Sequence, residues 1–248
     1  MSTKEILSTL SQIAIIEDAD HYKRRLNVFC DPGRPYILSF INQHGFNIAH
    51  TNQSLRNAFL KSDCLLRDGV GLEIALQFLG LKSGVNCNGT DLIPRILHKM
   101  AGRTAAVYGT VDPWLGNACE TIEAAGVRVV SKLDGFQDDA GYLEAVQRFQ
   151  PSLIILGMGM PRQEELSLKI AQNCDHACLI VNGGAIIDFM GGRFVRAPKW
   201  VRSARLEWLF RLLLEPKRLF ARYITGGAVF LFRMAKLAYY VRAPNMKA

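Results

Sequence analysis

Between residues 46 and 190, short apolar runs alternate with longer amphipathic ones, and this rhythm constrains the fold more than any other feature of the chain. The apolar runs are Phe46–His50, Cys64–Leu66, Ala105–Tyr108, Val127–Val130, Leu153–Leu156 and Ala177–Val181. Between them, Ser54–Lys61, Leu72–Leu79, Asp91–Met100, Pro113–Ala125, Ala140–Phe149 and Arg162–Asn173 carry apolar residues at helical spacing. Strands followed by helices in this way predict an α/β fold: a parallel sheet flanked by helices on both faces. Such sheets bind ligands at the carboxyl ends of their strands.

Glycine or aspartate falls just after several of the expected strands: Asp68-Gly69, Gly109-Thr110, Gly157-Met-Gly159 and Asn182-Gly183-Gly184. A glycine there lets backbone approach a ligand, and the next helix offers free N–H groups to a phosphate. Any one of them is equally explained as a tight turn; the set of four predicts a nucleotide pocket. Gly157-Met-Gly159-Met-Pro161-Arg162 begins like a dinucleotide fingerprint but lacks its third glycine, which disfavours an oxidoreductase.

The net charge of +8 is concentrated at one end. Residues 1–198 hold 19 basic and 20 acidic residues, a balance of −1; residues 199–248 hold 11 and 2, a balance of +9. We therefore divide the chain into a catalytic domain, 1–198, and a basic amphipathic helical appendage, 199–248. In the appendage Trp200, Trp208, Phe220, Phe230 and Phe232 interleave with Arg202, Arg211, Arg218, Arg222 and Arg233, and Pro216 splits it into at least two helices. Basic helices rich in Trp, Phe and Leu suit an anionic membrane surface. The alternative is an apolar stripe packed on the α/β body with its arginines solvated. Nucleic acid is not expected as a partner, because no helix-turn-helix, zinc-finger or RNA-binding signature accompanies the charge. No run approaches the roughly 18 apolar residues of a spanning helix. The short Ile13–Ile16 stretch, followed at once by Glu17-Asp18, is not expected to act as a secretory signal. The six cysteines are expected to be reduced, buried thiols. Cys174-Asp-His176-Ala-Cys178 holds metal-ligating residue types but has no second ligand pair and runs into an apolar segment, so no metal site is expected there.

Taken in order, several segments resemble the WecG/TagA/CpsF family of bacterial glycosyltransferases. They are Thr51-Asn52; Asp68-Gly69-Val-Gly71; Asn88-Gly89-Thr90-Asp91-Leu92; Leu156-Gly-Met-Gly-Met-Pro161-Arg-Gln163-Glu164; Val181-Asn-Gly183-Gly184 through Asp188 to Gly192; Arg196-Ala197-Pro198-Lys-Trp200; Leu206-Glu207-Trp208-Leu-Phe-Arg211; and Glu215-Pro216-Lys-Arg218. The resemblance covers roughly residues 45 to 225 and implies a Rossmann-like fold. It implies a peripheral enzyme on the cytoplasmic side of the bacterial inner membrane, moving a sugar from a UDP-sugar to a sugar on undecaprenyl diphosphate, with inversion, for a cell-surface polysaccharide. No metal and no cofactor are expected. A homo-oligomer stays open, as does a non-catalytic membrane-surface scaffold that keeps the nucleotide pocket.

An inverting transfer needs one general base for the acceptor hydroxyl and positive charge or donors for the UDP leaving group. Asp68 is the candidate base. Thr51 and Asn52, expected at the end of a neighbouring strand, are candidates for the sugar or diphosphate. Gln163 and Asp188 are candidates for reading the nucleotide or donor sugar, and the Gly109 and Gly159 backbone for approaching the UDP. Arg211, Arg218 and Arg222, seven and four residues apart, could share one helical face if Pro216 only kinks the helix, and arginine forks suit a diphosphate. Two positions depart from the family pattern: Asn86 stands where many relatives have Arg, and Arg205 where they often have Gly.

Overall fold

The computed structural model describes residues 3–242. Among them, seven strands form one parallel sheet: β1 (Ile13–Ala14), β2 (Tyr36–Ile41), β3 (Cys64–Arg67), β4 (Thr104–Gly109), β5 (Arg128–Leu133), β6 (Leu153–Gly157) and β7 (Leu179–Asn182). Their order is β1-β3-β2-β7-β6-β4-β5. The expected Rossmann-like α/β architecture is therefore present.

The central strands are apolar on both faces, as strands covered on both sides must be. Leu38, Phe40, Val107, Ile155 and Val181 pack with Ile93 and Ile96 of helix Gly89–Lys99 and with Leu115 and Ile122 of helix Trp114–Ala124. Their neighbours Ile37, Ala106, Tyr108, Ile154 and Ile180 face Tyr142 and Val146 of helix Asp139–Phe149 and Leu166 and Ile170 of helix Arg162–Asn173. The edge strand β5 is half-buried, which is why its sequence mixes Arg128 and Lys132 with valines.

One expected strand is a helix. Phe46–His50 lies inside helix Gln43–Thr51, and the strand of this unit is β2, immediately upstream. The cause is local: the Asn42 side chain accepts hydrogen bonds from the N–H groups of His44 and Gly45, capping a helix there. Phe46 and Ala49, three apart, are its buried face.

A third core cluster joins the tail to the body. Phe230, Met234 and Leu237 of helix Gly226–Arg242 pack with Phe46, Leu55, Phe59 and Leu72. The rings of Phe46 and Phe230 meet edge to face at 5.4 Å. Arg233 donates to the backbone and side-chain oxygens of Asn47 at 3.2 and 2.8 Å. The change at residue 198 is thus one of composition; packing runs across it. Residues 243–248 of the appendage lie outside the described residues.

The connections place a crevice. β4 leads on to its neighbour β5, whereas β6 leads to β7 on its other side, so adjacent chains leave the sheet in opposite directions at the paired residues Gly109 and Gly157. Ligands of open α/β sheets bind outside the carboxyl ends at such a point.

Candidate active site

A cleft of about 1690 Å³ opens over the carboxyl ends of the strands. Every strand from β2 to β7 delivers backbone or side chain to it: Asn42 after β2, Asp68 and Gly69 after β3, Thr110 after β4, Phe136 after β5, Met158 and Gly159 after β6, and Gly183 and Gly184 after β7. The tail supplies the remaining wall, including Arg211, Arg218, Arg222 and Tyr223.

Asp68 is half-buried at this wall, and its backbone N–H donates to Ile41 at 2.8 Å. Burial pushes its carboxyl above the ordinary carboxylate range; the Arg211 charge pulls it down, Glu207 pushes it up, and Arg222 and the Asn42 side chain pull it down in turn. The outcome is a more basic carboxylate than a solvated one, facing guanidinium groups.

The loop that carries Asp68 is fixed from behind by Arg67, a residue sequence reasoning passed over. Its buried guanidinium donates to the carbonyls of Ser83, Gly69 and Gly84 and pairs with Glu73 at 3.3 Å. Asn86 accepts from the Gly69 N–H at 3.0 Å and so also acts on the loop that carries Asp68. Gly69 itself has φ +86, a conformation that glycine tolerates and L side chains rarely adopt.

The tail arginines reach the cleft from three segments rather than one continuous face. Arg211 sits in helix Glu207–Leu214, Arg218 in helix Pro216–Phe220, and Arg222 in a single π turn, Ala221–Thr225. Arg211 pairs with Glu207 at 2.7 Å and lies over the Phe189 ring. Arg218 lies over Phe194, and its fork is filled by Glu215 at 2.7 and 2.9 Å. Arg222 is different: its Nε is buried without a hydrogen-bond partner among the described residues, and burial depresses its pKa. A buried, unpaired guanidinium N–H beside a carboxylate fits an anionic ligand. His44, also lining the cleft, is held down to about 4 by burial and by Arg222, so its imidazole is neutral at neutral pH.

Asp188 borders the cleft, accepting from the Thr110 hydroxyl at 2.6 Å and pairing with Arg193 at 3.2 Å. Gln163 is only 1% exposed. Its amide oxygen accepts from the N–H groups of both Gly159 and Gly184 at 3.1 Å, and its amide nitrogen donates to Glu164 at 2.8 Å. Gln163 therefore staples the β6 and β7 loops together, and its polar atoms are already engaged. Gly159 lines the cleft with φ +79. Gly109 does not line it: a Cβ there would meet the Gly157 carbonyl at 2.4 Å, so this glycine serves strand packing, and its neighbour Thr110 faces the ligand space.

Thr51 and Asn52 lie outside the cleft, away from the role expected for them. Thr51 ends the helix that starts at Gln43, roughly 12 Å of helix away. Its hydroxyl bonds back to Ile48, and Asn52 caps helix Gln53–Lys61 through the Leu55 N–H. Asn42 occupies the position beside Asp68 instead; its signal was an asparagine directly after the apolar run Tyr36–Ile41.

The sequence profile of the glycosyl transferase WecG/TagA/CpsF family matches residues 12–243. The chain belongs to this family. Curated relatives carry the name N-acetylglucosaminyldiphosphoundecaprenol N-acetyl-beta-D-mannosaminyltransferase. One, from Bacillus spizizenii, is 24% identical over 188 residues, covering 74% of this chain and 72% of the relative. Another, from Staphylococcus aureus, is 24% identical over 220 residues, covering 85% and 80%. As a WecG/TagA/CpsF glycosyltransferase, the protein has its cleft where the strand order reverses, with Asp68 after β3 and the tail arginines near it. No helix among the described residues is long and apolar enough to cross a membrane.

Proposed function

We propose that the protein transfers a hexosyl or N-acetylhexosaminyl group from a UDP-sugar to a sugar carried on undecaprenyl diphosphate, with inversion, in the assembly of a cell-surface polysaccharide. The observation that carries this reading is the Asp68 carboxyl, made more basic by burial and set within the field of Arg211 and Arg222. Asp68 takes the proton of the acceptor hydroxyl as that oxygen attacks the anomeric carbon. The bond from that carbon to the diphosphate breaks in the same step, so one displacement inverts the centre. Arg222, with its unpaired Nε, and Arg211 stabilise the charge gathering on the leaving diphosphate. Thr110 and the Gly159 and Gly184 backbones bound the space for the nucleotide. Arginines supply the positive charge, and the chemistry is proposed to need no divalent cation.

The names of the relatives support an N-acetylglucosamine on undecaprenyl diphosphate as the acceptor. Such an acceptor is embedded in a membrane. Around the arginines the tail exposes Trp200 (73%), Leu213 (73%) and Phe232 (71%), with Phe220 and Leu231 also exposed. Exposed aromatic and leucine side chains among basic residues fit the headgroup boundary of the cytoplasmic leaflet. The protein is proposed to lie there peripherally.

The test is Asp68→Asn, assayed with a UDP-sugar and a lipid-diphosphate acceptor. Loss of the base should lower kcat by roughly 10²–10⁴-fold and leave UDP binding intact. Near-normal turnover would remove Asp68 as the base; absence of sugar transfer by the unaltered protein across UDP-hexoses and UDP-N-acetylhexosamines would remove the reaction.

A further inference from the structure

At the amino ends of the strands, opposite the cleft, three side chains that can ligate a metal converge. Cys174 follows helix Arg162–Asn173, Cys178 leads directly into β7, and His176 lies between them. Their ligand atoms all lie within 4.8 Å of one another. The two sulfurs are 3.6 Å apart, and the Cys174 sulfur is 3.3 Å from His176 Nδ1.

These separations can be set against a tetrahedral zinc centre. With Zn–S near 2.3 Å and Zn–N near 2.0–2.1 Å, tetrahedral angles place two sulfurs about 3.8 Å apart and a sulfur and a nitrogen about 3.6 Å apart. The sulfur–sulfur and Cys174–His176 distances fall within a few tenths of an ångström of these values, and the third pair, His176 with Cys178, lies within 4.8 Å.

The histidine is oriented for the role. His176 Nε2 lies 3.0 Å from the Pro151 carbonyl, which can only accept, so Nε2 carries the ring proton. Nδ1 is then left with a free lone pair; the Cys174 sulfur is 3.3 Å from Nδ1 and 3.8 Å from Nε2, so it stands towards the ring face and would turn towards Nδ1 as an ion enters. A metal-bound histidine is commonly held in this way, with its other ring N–H given to a backbone carbonyl. Cys178 is fully buried and Cys174 nearly so, whereas His176 is only partly buried and Asp175 and Ala177 are exposed, which leaves a path for an ion.

We propose that Cys174, His176 and Cys178 bind one Zn²⁺, with water as the fourth ligand. Two thiol protons leave to solvent as the ion enters, and the two thiolates neutralise its charge. Two sulfurs and one imidazole are a donor set for a thiophilic d10 cation and not for Mg²⁺ or Ca²⁺. The site joins the end of helix Arg162–Asn173 to the amino end of β7 and to Pro151, two residues before β6, whereas the cleft lies at the carboxyl ends of these strands. Its role is structural, and transfer chemistry does not pass through it.

The experiment uses the full-length, reduced and metal-stripped protein titrated with Co²⁺. One equivalent should bind, with a thiolate-to-cobalt charge-transfer band and the strong visible bands of four-coordinate cobalt, and Zn²⁺ should displace it. Zn²⁺ should also raise the Tm of the unaltered protein and not that of Cys174→Ala/Cys178→Ala. If that double variant fails to fold, His176→Gln carries the test. It should weaken Co²⁺ by more than the roughly 10–100-fold that follows loss of a ligand's outer partner. The remaining buried thiols, Cys30, Cys64, Cys87 and Cys119, act as an internal control. Absence of the charge-transfer band, or its persistence in the double variant, overturns the proposal. So does a reduced protein that ignores both ions and instead oxidises to a Cys174–Cys178 disulfide.

Discussion

Glu164 is fully buried beside Gln163, and its second carboxyl oxygen has no hydrogen-bond partner among the described residues. Burial pushes it from 4.5 up to about 7, against the opposing pull of the Gln163 amide. Between these two values the folded protein keeps a proton that the unfolded chain has already lost. Stability therefore falls as pH rises through that window, and the penalty is complete above about pH 7. A shift from 4.5 to about 7 corresponds to about 3 kcal/mol. Glu164→Gln should remove this term, because a neutral amide of the same shape still accepts from Gln163. Its extra N–H group adds an offset, but that offset does not change with pH. We expect the variant to gain about 3 kcal/mol over the unaltered protein on going from about pH 4 to about pH 8, measured by urea unfolding at both values. In a thermal scan this corresponds to roughly 6–12 °C for a chain of this size. A stability difference between the two proteins that is the same at both pH values would refute the reasoning.

Phe230→Ala should destabilise the protein by about 3–5 kcal/mol in chemical unfolding, because its ring is fully buried against Phe46; a loss below about 1 kcal/mol would mean that the last helix does not share the body's core. Arg205→Gly should raise stability in urea unfolding by roughly 0–2 kcal/mol. It relieves a left-handed residue at φ +62, worth about 1–2 kcal/mol, and gives up a 2.8 Å pair between Glu73 and an exposed arginine, worth about 0.2–1 kcal/mol. Asn42→Ala should cost about 1 kcal/mol through the lost helix cap. It should also move the acidic limb of the kcat/KM profile to higher pH, since the Asn42 side chain holds the Asp68 carboxyl down.

The parallel sheet was legible because the strands from β3 to β7 are short apolar runs followed by helices. β2 does not stand out in the sequence. It is as buried as its neighbours, but Ser39 interrupts its apolar run, and that serine is satisfied only by tertiary partners: Ser62 at 2.8 Å and Asn182 at 2.8 Å. With β2 hidden, the next apolar stretch, Phe46–His50, reads as the strand and Thr51 and Asn52 as its carboxyl end, where the structure has Asn42. Asp68 needed no such partner, because an Asp-Gly pair directly after an apolar run marks a strand's carboxyl end by itself. The arginines were visible as composition, but their distribution over two helices and a π turn depends on how the chain after Pro216 folds back. Gln163 lies in the first turn of its helix, and it lines the cleft. That its oxygen is shared by two loops is a relation between β6 and β7 that no single segment contains.

The helix that seats Phe230, Met234 and Leu237 in the body follows directly on the segment carrying Arg222. The proposed membrane attachment and the proposed chemistry of the cleft therefore share one foundation. Removing the basic tail to obtain a more tractable protein would strip buried surface from the core together with the cleft's arginines, so inactivity after such a cut would not distinguish a lost anchor from a lost fold. Detaching the enzyme from lipid calls for a different operation, in which Trp200, Leu213, Leu231 and Phe232 are made polar one at a time while the helices beneath them stay where they are.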